Sequence, residues 1–432
     1  MTSLRFFTAA AGVVVALGGL ATPAAAQTND ETFQNLQWNF STPGARANGM
    51  GKTFIGKADD ASAAVTNPAG LMSLSRPQVY AEFKMTRLSA DRLATANSLT
   101  SLQPTTTTTD INSLSFVSVS VPIKSRLAVA FSLHRFLDYE EQFSLAPRAI
   151  PRSTDTFFPV NGTVDFAATA YGGSLAYMVT NRLRLGVTVA ANQLEADSVL
   201  TRTDFTGTAT ATNIIANQVS INDSQMATSV TVGGMYRTTS DKVTVGFSYT
   251  KSPRFNTEEN LKTNPGYRGS PASNLPLVQR TGFPKPVEIN VPDHFGFGVA
   301  VRPISKLLVA FDVVQTQYSS LSENTTIIFD EATIRPTDFD TPDTTEVHIG
   351  AEYMLGNIMS KPLLLRAGVF TNPNHLTSYT GSDVTEQAFY RFAKKDDTRA
   401  TVGAGVVLGA RTQIDAAYII GREFVASAAV RF

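Results

Sequence analysis

Most of the chain after about residue 77 alternates between apolar residues and small or polar ones. Successive side chains of a β-strand point to opposite faces, so a period of two gives each strand two chemically different faces. The second face is small and polar without being uniformly charged, which suits the lumen of a barrel. Residues 242–250 show the pattern, with Val243, Val245, Phe247 and Tyr249 on one face and Lys242, Thr244, Gly246 and Ser248 on the other.

Fourteen segments follow this pattern, and short connections alternate with long ones between them, except at the short hairpin near Gly421. This arrangement is typical of transmembrane antiparallel β-barrels, in which about ten residues cross the bilayer when the strand is tilted. A periplasmic β-sandwich needs neither so many strands nor such long ones. The sequence therefore predicts an all-β barrel of about fourteen strands: 77–88, 112–122, 126–139, 164–180, 182–196, 224–238, 242–255, 288–303, 306–322, 344–355, 362–371, 397–409, 411–420 and 422–432. The long connections are predicted to be loops at 89–111, 140–163, 197–223, 256–287, 323–343 and 372–396.

Composition excludes several classes of function. Lys plus Arg and Asp plus Glu both total 36, so the chain lacks the basic excess of a nucleic-acid binder. It contains no cysteine, which removes disulfides, thiolate metal sites and cysteine nucleophiles. The four histidines lie in separate segments, without a G-x-S-x-G or H-E-x-x-H motif. We therefore expect no enzymatic activity, no cofactor, no bound metal and no nucleic-acid partner.

The first 26 residues read as a secretory signal peptide. Arg5 precedes an apolar run over 6–20, and small residues at 24–26 form a cleavage site. The run is shorter than the roughly 20 residues that a transmembrane helix needs. We expect cleavage after Ala26 and export from the cytoplasm.

The last segment adds an independent signal for a barrel. Its apolar face ends on an aromatic residue, which is typical of strands recognised by the outer-membrane barrel assembly machinery. That face comprises Phe424, Ala426, Ala428, Val430 and Phe432. We expect the assembly machinery to be a partner of this chain.

Residues 27–76 do not alternate, and they contain three compact motifs. G-A-R-A-N-G-M-G occupies 44–51, A-D-D-A-S-A-A occupies 58–64, and N-P-A-G-L occupies 67–71. These runs resemble the FadL/TodX-type hydrophobic-compound transporters of the outer membrane. The resemblance implies a fourteen-stranded barrel, 77–432, closed around an N-terminal hatch, 27–76. Asn67, Pro68 and Ala69 match the hatch motif of the family. The G-A-R form is closer to a branch that includes secretion-associated barrels.

The alternation points charged residues of both signs into the lumen. Four arginines among them are candidate anchors, because an arginine can hold a carboxylate through two hydrogen bonds. These arginines either fasten the hatch to the wall or hold the carboxylate of a ligand. They are Arg182, Arg184, Arg366 and Arg399.

Two of the long connections carry apolar residues that mark either a binding surface or packing between loops. The family resemblance implies that the third and fourth long loops form a hydrophobic docking groove. The candidate docking residues are Ile214 and Ile215 in the third loop, and Leu275, Leu277, Val278 and Phe283 in the fourth.

We therefore expect a monomeric channel in the bacterial outer membrane, in contact with outer-membrane lipid. It would passively take up hydrophobic molecules such as long-chain fatty acids or hydrocarbons. A lateral exit would need a break in strand pairing, and alternation fades at 134–138. Two alternatives remain: a non-specific aqueous porin, and a barrel that binds exported proteins in a secretion system.

Overall fold

The computed structural model describes residues 41–95, 102–145, 148–149, 156–157, 159–205, 211–265, 275–323, 334–358, 361–383, 386–387, 390 and 396–432. The predicted signal peptide and the first part of the predicted hatch, through Phe40, lie outside these ranges.

A closed antiparallel barrel of fourteen strands forms the wall, which confirms the predicted fold class. Each strand pairs with its neighbours in the chain, and the last strand pairs with the first, with Gln78 opposite Arg431. Closure leaves no unpaired strand edge in lipid. In chain order the strands are β1 Gln78–Thr95, β2 Leu102–Lys124, β3 Leu127–Leu145, β4 Val160–Met178, β5 Leu183–Phe205, β6 Ala211–Arg237, β7 Val243–Lys251, β8 His294–Ile304, β9 Leu307–Thr316, β10 Thr344–Ile358, β11 Lys361–Asn372, β12 Asp397–Leu408, β13 Thr412–Ile419 and β14 Glu423–Arg431.

A few smaller elements accompany the wall. Two outer strands, Arg254–Thr263 and Lys285–Asn290, pair with each other, and the first also pairs with β6. Two-residue strands occupy Arg148–Ala149, Thr156–Phe157, Val278–Gln279, Phe339–Asp340 and Ser378–Tyr379. The helices are α1 Ala45–Gly49, α2 Ala63–Thr66, and the 3-10 turns Pro68–Ser73, Tyr318–Ser322 and Pro336–Asp338. None of the helices in the described ranges is long and apolar enough to cross a membrane.

The outer face of the wall carries an apolar band. Phe131, with 71% of its surface exposed, lies in this band, and Tyr177, Tyr236 and Tyr353 lie near the short connections. Aromatic residues at the borders of such a band are typical of membrane barrels. The band therefore marks the part of the wall that contacts lipid.

Beyond the band, β1 to β6 continue as paired strands with a polar exterior. Examples on this exterior are the Arg87–Asp110 ion pair and the hydrogen bond from Asn222 to Asp197. The prediction of loops at 89–111, 140–163 and 197–223 is therefore largely wrong. Outside lipid the outer face is hydrated, so apolar alternation stops while backbone pairing continues.

The inner faces of these extensions pack into an apolar cluster, the outer cluster. Its largest side chains include Tyr139, Phe166 and Phe255, which are almost fully buried. Residues from the outer strands, such as Leu261 and Ile289, complete it. The outer cluster closes the lumen on the side of the long connections.

Candidate binding site in the barrel lumen

Residues 41–76 lie inside the barrel, and we use the name hatch for this segment. The candidate motif residues Asn67, Pro68 and Ala69 are fully buried. The Asn67 amide donates to the Ile55 carbonyl at 2.9 Å and to the Gly234 carbonyl of β6 at 3.3 Å. Asn67 therefore ties two parts of the hatch to each other and to the wall.

Six glycines on the inner face of the wall form a glycine seam against the hatch; five of them approach its backbone, and Gly233 approaches the Asn67 side chain. At Gly350, an added Cβ would lie 2.1 Å from the Met50 carbonyl oxygen, and at Gly368 it would lie 2.2 Å from the Gly51 nitrogen. Only a residue without a side chain allows this approach. The seam comprises three cross-strand pairs, Gly186 with Gly233, Gly246 with Gly298, and Gly350 with Gly368.

Buried ion pairs fasten the hatch next to this seam. Arg46 Nη2 lies 2.7 Å from Glu352 Oε1, and its Nη1 lies 2.6 Å from Asp59 Oδ1. Arg366 bridges Glu352 and Asp415, each at 2.8 Å. Burial alone lowers the pKa of Arg46, but the Glu352 carboxylate outweighs burial, so this pKa is raised above its ordinary value.

The four candidate arginines have different environments. Arg366 belongs to the ion-pair network, and Arg184 Nη1 donates to Ser73 Oγ at 2.6 Å, at the end of the hatch. Arg399 pairs with Asp397 at 2.9 Å. Arg182 is exposed and precedes β5, which begins at Leu183, so its predicted position in the lumen is wrong. The turn extends through residue 182, and this removes Arg182 from the strand alternation.

A cavity of about 190 Å³ lies between the hatch and the outer cluster; we call it the main cavity. Part of its lining is apolar and includes Ile55, Val65, Phe136, Val291 and Val314. Hydroxyl groups cover another part: Thr188, Ser229, Thr231, Ser248, Thr250 and Thr316. Both apolar surface and hydrogen-bonding groups are therefore available to a bound molecule.

Tyr318 also lines the main cavity, and its ring stacks on His375 with 4.0 Å between centroids. Burial raises the pKa of Tyr318 and lowers that of His375, which favours the neutral form of both rings. This side of the cavity therefore presents aromatic surface without charge.

Two residues of opposite charge line the main cavity. Lys52, at a φ of 65°, holds its ammonium 4.6 Å from the centre of the Phe370 ring. Burial lowers the pKa of Lys52, while the nearby Glu346 carboxylate acts in the opposite direction. Glu346 in turn lies 3.0 Å from His348 Nε2. The positive and negative groups therefore offset each other.

A second cavity of about 60 Å³ lies beside β1 to β3 and shares Ser41, Lys52 and Phe136 with the main cavity. The pairing of β3 with β4 shifts between Arg135 and Leu137, which leaves Phe136 as a bulge. The Ser41 amide donates to the Phe136 carbonyl at 3.5 Å. The irregularity therefore coincides with the segment, 134–138, in which the sequence alternation fades.

Not all of the candidate docking residues belong to loops. Ile214 and Ile215 are in β6, and the Ile214 side chain lies outside the described part of the chain. The Asn264 amide donates to the Ile215 carbonyl, which connects the third and fourth long segments. Phe283 packs against the outer cluster.

The other three residues of the fourth segment are more open to solvent. Leu275 and Val278 are 44% and 49% exposed, and Leu277 is half-buried. Their role in docking stays a prediction.

Several features of the site were not predicted from sequence. These are the contacts of the glycine seam, the pairing of Arg46 with Glu352, and the placement of Lys52 and His134 beside the main cavity. Arg46 lies in the G-A-R-A-N-G-M-G motif, Arg366 was predicted to face the lumen, and the alternation along 344–355 places Glu352 on the lumen face as well. Matching these opposite charges in the sequence could have predicted the ion pairs between the hatch and the wall.

A closed barrel with an apolar outer band and a filled lumen defines a channel protein of the bacterial outer membrane. Residues 25–426 match the model of the family described as outer membrane protein transport protein (OMPP1/FadL/TodX), and the chain belongs to this family.

Solved structures of low sequence identity share the fold. The toluene transporter TbuX of Ralstonia pickettii matches with a TM-score of 0.59 at 14% identity, over 92% of this chain and 100% of that one. The toluene transporter TodX of P. putida matches with a TM-score of 0.58 at 12% identity, over 91% and 99%. The monoaromatic hydrocarbon channel CymD matches with a TM-score of 0.57 at 14% identity, over 92% and 99%. No curated protein sequence matches the chain significantly.

Proposed function

We propose that this protein is a passive channel for small hydrophobic compounds, and that its cargo has the size of a single aromatic ring. The main cavity, about 190 Å³, carries this proposal. An apolar protein cavity of about 150 Å³ is sufficient to bind benzene. A substituted benzene therefore matches the main cavity, whereas a long-chain fatty acid would extend well beyond it.

The charges around the cavity also favour a neutral cargo. Lys52 is the cation in the lining, and Glu346 stands near it. Arg366 and Arg399, two candidate carboxylate anchors, are paired with carboxylates of the protein itself. To bind Arg366 or Arg399, a fatty-acid head group would have to displace one of these partners. TbuX and TodX, which are toluene transporters, and CymD, a monoaromatic hydrocarbon channel, share this fold and support this choice.

The same arrangement suggests a route. A molecule would arrive through the outer cluster, rest in the main cavity above the hatch, and leave past the bulge at Phe136. The second cavity reaches this bulge. A wide aqueous pore fits less well, because the described part of the hatch occupies the lumen. For a secretion partner, no contact among the described residues offers comparable support.

A cavity-filling variant tests the proposal. Ala190 lines the main cavity, whereas Ala191 is exposed on the outer face of the same strand. Cells with an intact outer membrane and no other channel of this type would receive wild type, Ala190→Phe or Ala191→Phe. We expect wild type and Ala191→Phe to accelerate uptake of ring-labelled toluene at low external concentration, and Ala190→Phe to abolish the gain. Faster uptake of labelled palmitate than of toluene would contradict the proposed cargo.

A further inference from the structure

The end of the barrel that carries the short connections is rich in exposed cations, and we call it the basic rim. It comprises 122–127, 179–184, 237–243, 301–307 and 408–412. Short connections of outer-membrane barrels face the periplasm, so the basic rim lies on the periplasmic side. Within these five ranges Asp241 is the single carboxylate. The exposed cations include Arg126, Arg182, Lys242, Arg302, Lys306 and Arg411.

Three pairs of cations lie opposite each other on neighbouring strands at this end of the barrel. In each pair the backbone amide of one residue donates to the carbonyl of the other, at 2.7 to 2.9 Å. The pairs are Arg182 with Arg237, Lys242 with Arg302, and Arg411 with Arg431. Like charges at opposing positions destabilise an antiparallel strand pair. Arg237 has Asp241 at 4.0 Å, and the other five cations form no ion pair with a carboxylate in the described part of the chain. The arrangement therefore indicates an anion that comes from outside the chain.

Exposed apolar side chains stand next to these cations. Ile304, 57% exposed, lies between Arg302 and Lys306 at the end of β8, and Ile123, 51% exposed, precedes Lys124 at the end of β2. The basic rim is therefore continuous with the apolar band that contacts lipid. Lysine and arginine can lay their aliphatic stems along such a surface and keep the charged end at the membrane border. A lipid head group with its acyl chains matches both kinds of side chain.

The opposite border of the band carries charges of the other sign. Met226, 61% exposed, lies on the outer face of β6, ten residues before Tyr236 near the short connections. On the neighbouring strand β5, Glu195 and Asp197 are exposed close to it, and Glu195 is opposite Ser224. Carboxylates repel an anionic head group. The charge of the wall therefore favours anionic lipid at the periplasmic border only.

We propose that the basic rim binds the phosphate groups of anionic phospholipids in the periplasmic leaflet. The cations hold the phosphates, and apolar residues such as Ile123 and Ile304 contact the acyl chains. One lysine or arginine beside a membrane strengthens its attraction to anionic lipid by about fivefold. The binding of lipid at the basic rim does not depend on which molecule occupies the main cavity.

Tryptophan fluorescence can report which lipid lies next to each border. The sole tryptophan of the chain is removed by Trp38→Phe, and one new reporter is introduced by Ile304→Trp or by Met226→Trp. The purified full-length protein is placed in vesicles of phosphatidylcholine and phosphatidylglycerol at equal mole fractions. In each sample one of the two lipids carries bromine in its acyl chains and quenches a tryptophan beside it. We expect phosphatidylglycerol to associate about fivefold more strongly than phosphatidylcholine at Ile304→Trp, and no more strongly at Met226→Trp.

Neutralising the cations around Ile304 tests the contact itself. In the Ile304→Trp protein, the triple variant Lys242→Gln, Arg302→Gln and Lys306→Gln should remove the preference for phosphatidylglycerol. A matched control neutralises three exposed cations at the other end of the molecule and should keep the preference. It combines Arg254→Gln, Lys262→Gln and Arg280→Gln. The heat-dependent shift in gel mobility shows that each variant is folded.

Equal association of the two lipids at Ile304→Trp with the cations intact would overturn the proposal and would favour an acidic periplasmic protein as the occupant of the basic rim. A preference that survives the triple variant at the basic rim, or that the matched control removes equally, would overturn it as well. The proposed cargo is tested separately by Ala190→Phe, so either conclusion can fail without the other.

Discussion

The hatch meets the wall in two different ways on its two sides. Towards β5 to β11, its backbone touches the glycine seam, and the Arg46 ion pairs lie in the same region. Towards β1 to β3, long side chains reach it instead: Glu82 accepts from the Gly44 amide, and Lys84 contacts Ser41. The second cavity lies beside this second side and shares Ser41, Lys52 and Phe136 with the main cavity.

The difference shows which part of the hatch can yield to a passing molecule. Backbone packed against backbone has no alternative rotamer, and a protein interior transmits strain rather than absorbing it. Side chains that reach across a gap have alternative rotamers and can yield without a movement of the backbone. The proposed route past Phe136 would therefore need only local rearrangement on the β1 to β3 side, and the seam could stay in place.

The largest expected effect follows from filling the seam. Gly368→Leu adds a side chain at a position where even a Cβ would lie 2.2 Å from the Gly51 nitrogen. We therefore expect the hatch to be displaced from the wall. Ion conductance in planar bilayers should rise severalfold because the lumen opens. Val369→Leu, which alters a neighbouring residue on the lipid side, is the control. If Gly368→Leu conducts like wild type, close backbone contact is not what holds the hatch.

A smaller effect is expected from removing the Arg46 side-chain charge. Arg46→Met leaves Glu352 buried with one partner fewer, and breaking a buried pair typically costs about 3 kcal/mol. The unfolding midpoint in denaturant should therefore be lower. It is measured from the heat-dependent shift in gel mobility, which separates folded from unfolded barrel. Arg87→Met removes an exposed pair with Asp110 and should leave the midpoint unchanged. Equal behaviour of the two variants would contradict a special role for the buried network.

Asn67→Ala is expected to have a more modest effect. The substitution removes the amide hydrogen bonds to Ile55 and Gly234, and we expect a loss of about 1 kcal/mol. Uptake should slow while the amount of assembled protein stays the same. Asn181→Ala, in an exposed short connection, provides the matched control. Loss of assembly together with uptake would show that Asn67 acts in folding.

The smallest change in stability is expected on the β1 to β3 side of the hatch. Ser41→Ala removes a hydroxyl that contacts Lys84 but keeps the amide that donates to Phe136. Stability should change by less than about 0.5 kcal/mol, because a substitution at a loosely held site usually does little. Toluene uptake should equal or exceed that of wild type. A destabilisation as large as that of Arg46→Met would remove the contrast between the two sides.

The number of wall strands could be predicted because lipid imposes one rule on every strand. A residue facing lipid must be apolar, and its neighbours in the chain then face the lumen. The ends of the strands could not be predicted in this way. Beyond the membrane, residues such as Thr106 and Asp91 pair across β1 and β2 with a polar exterior, so the periodic signal stops before the strands do.

The sequence by itself therefore determined the barrel, its strand order and the presence of a distinct segment before it, because those features depend on local periodicity. Tertiary structure alone decided where the hatch is held and where a ligand fits. Gly350 and Gly368 look like any other small residue on an inner face until the hatch backbone lies against them. His134 likewise lines a cavity only because β3, the hatch and the outer cluster enclose one. Contacts between residues distant in sequence leave no periodic pattern, so they arise only when the closed barrel surrounds the hatch.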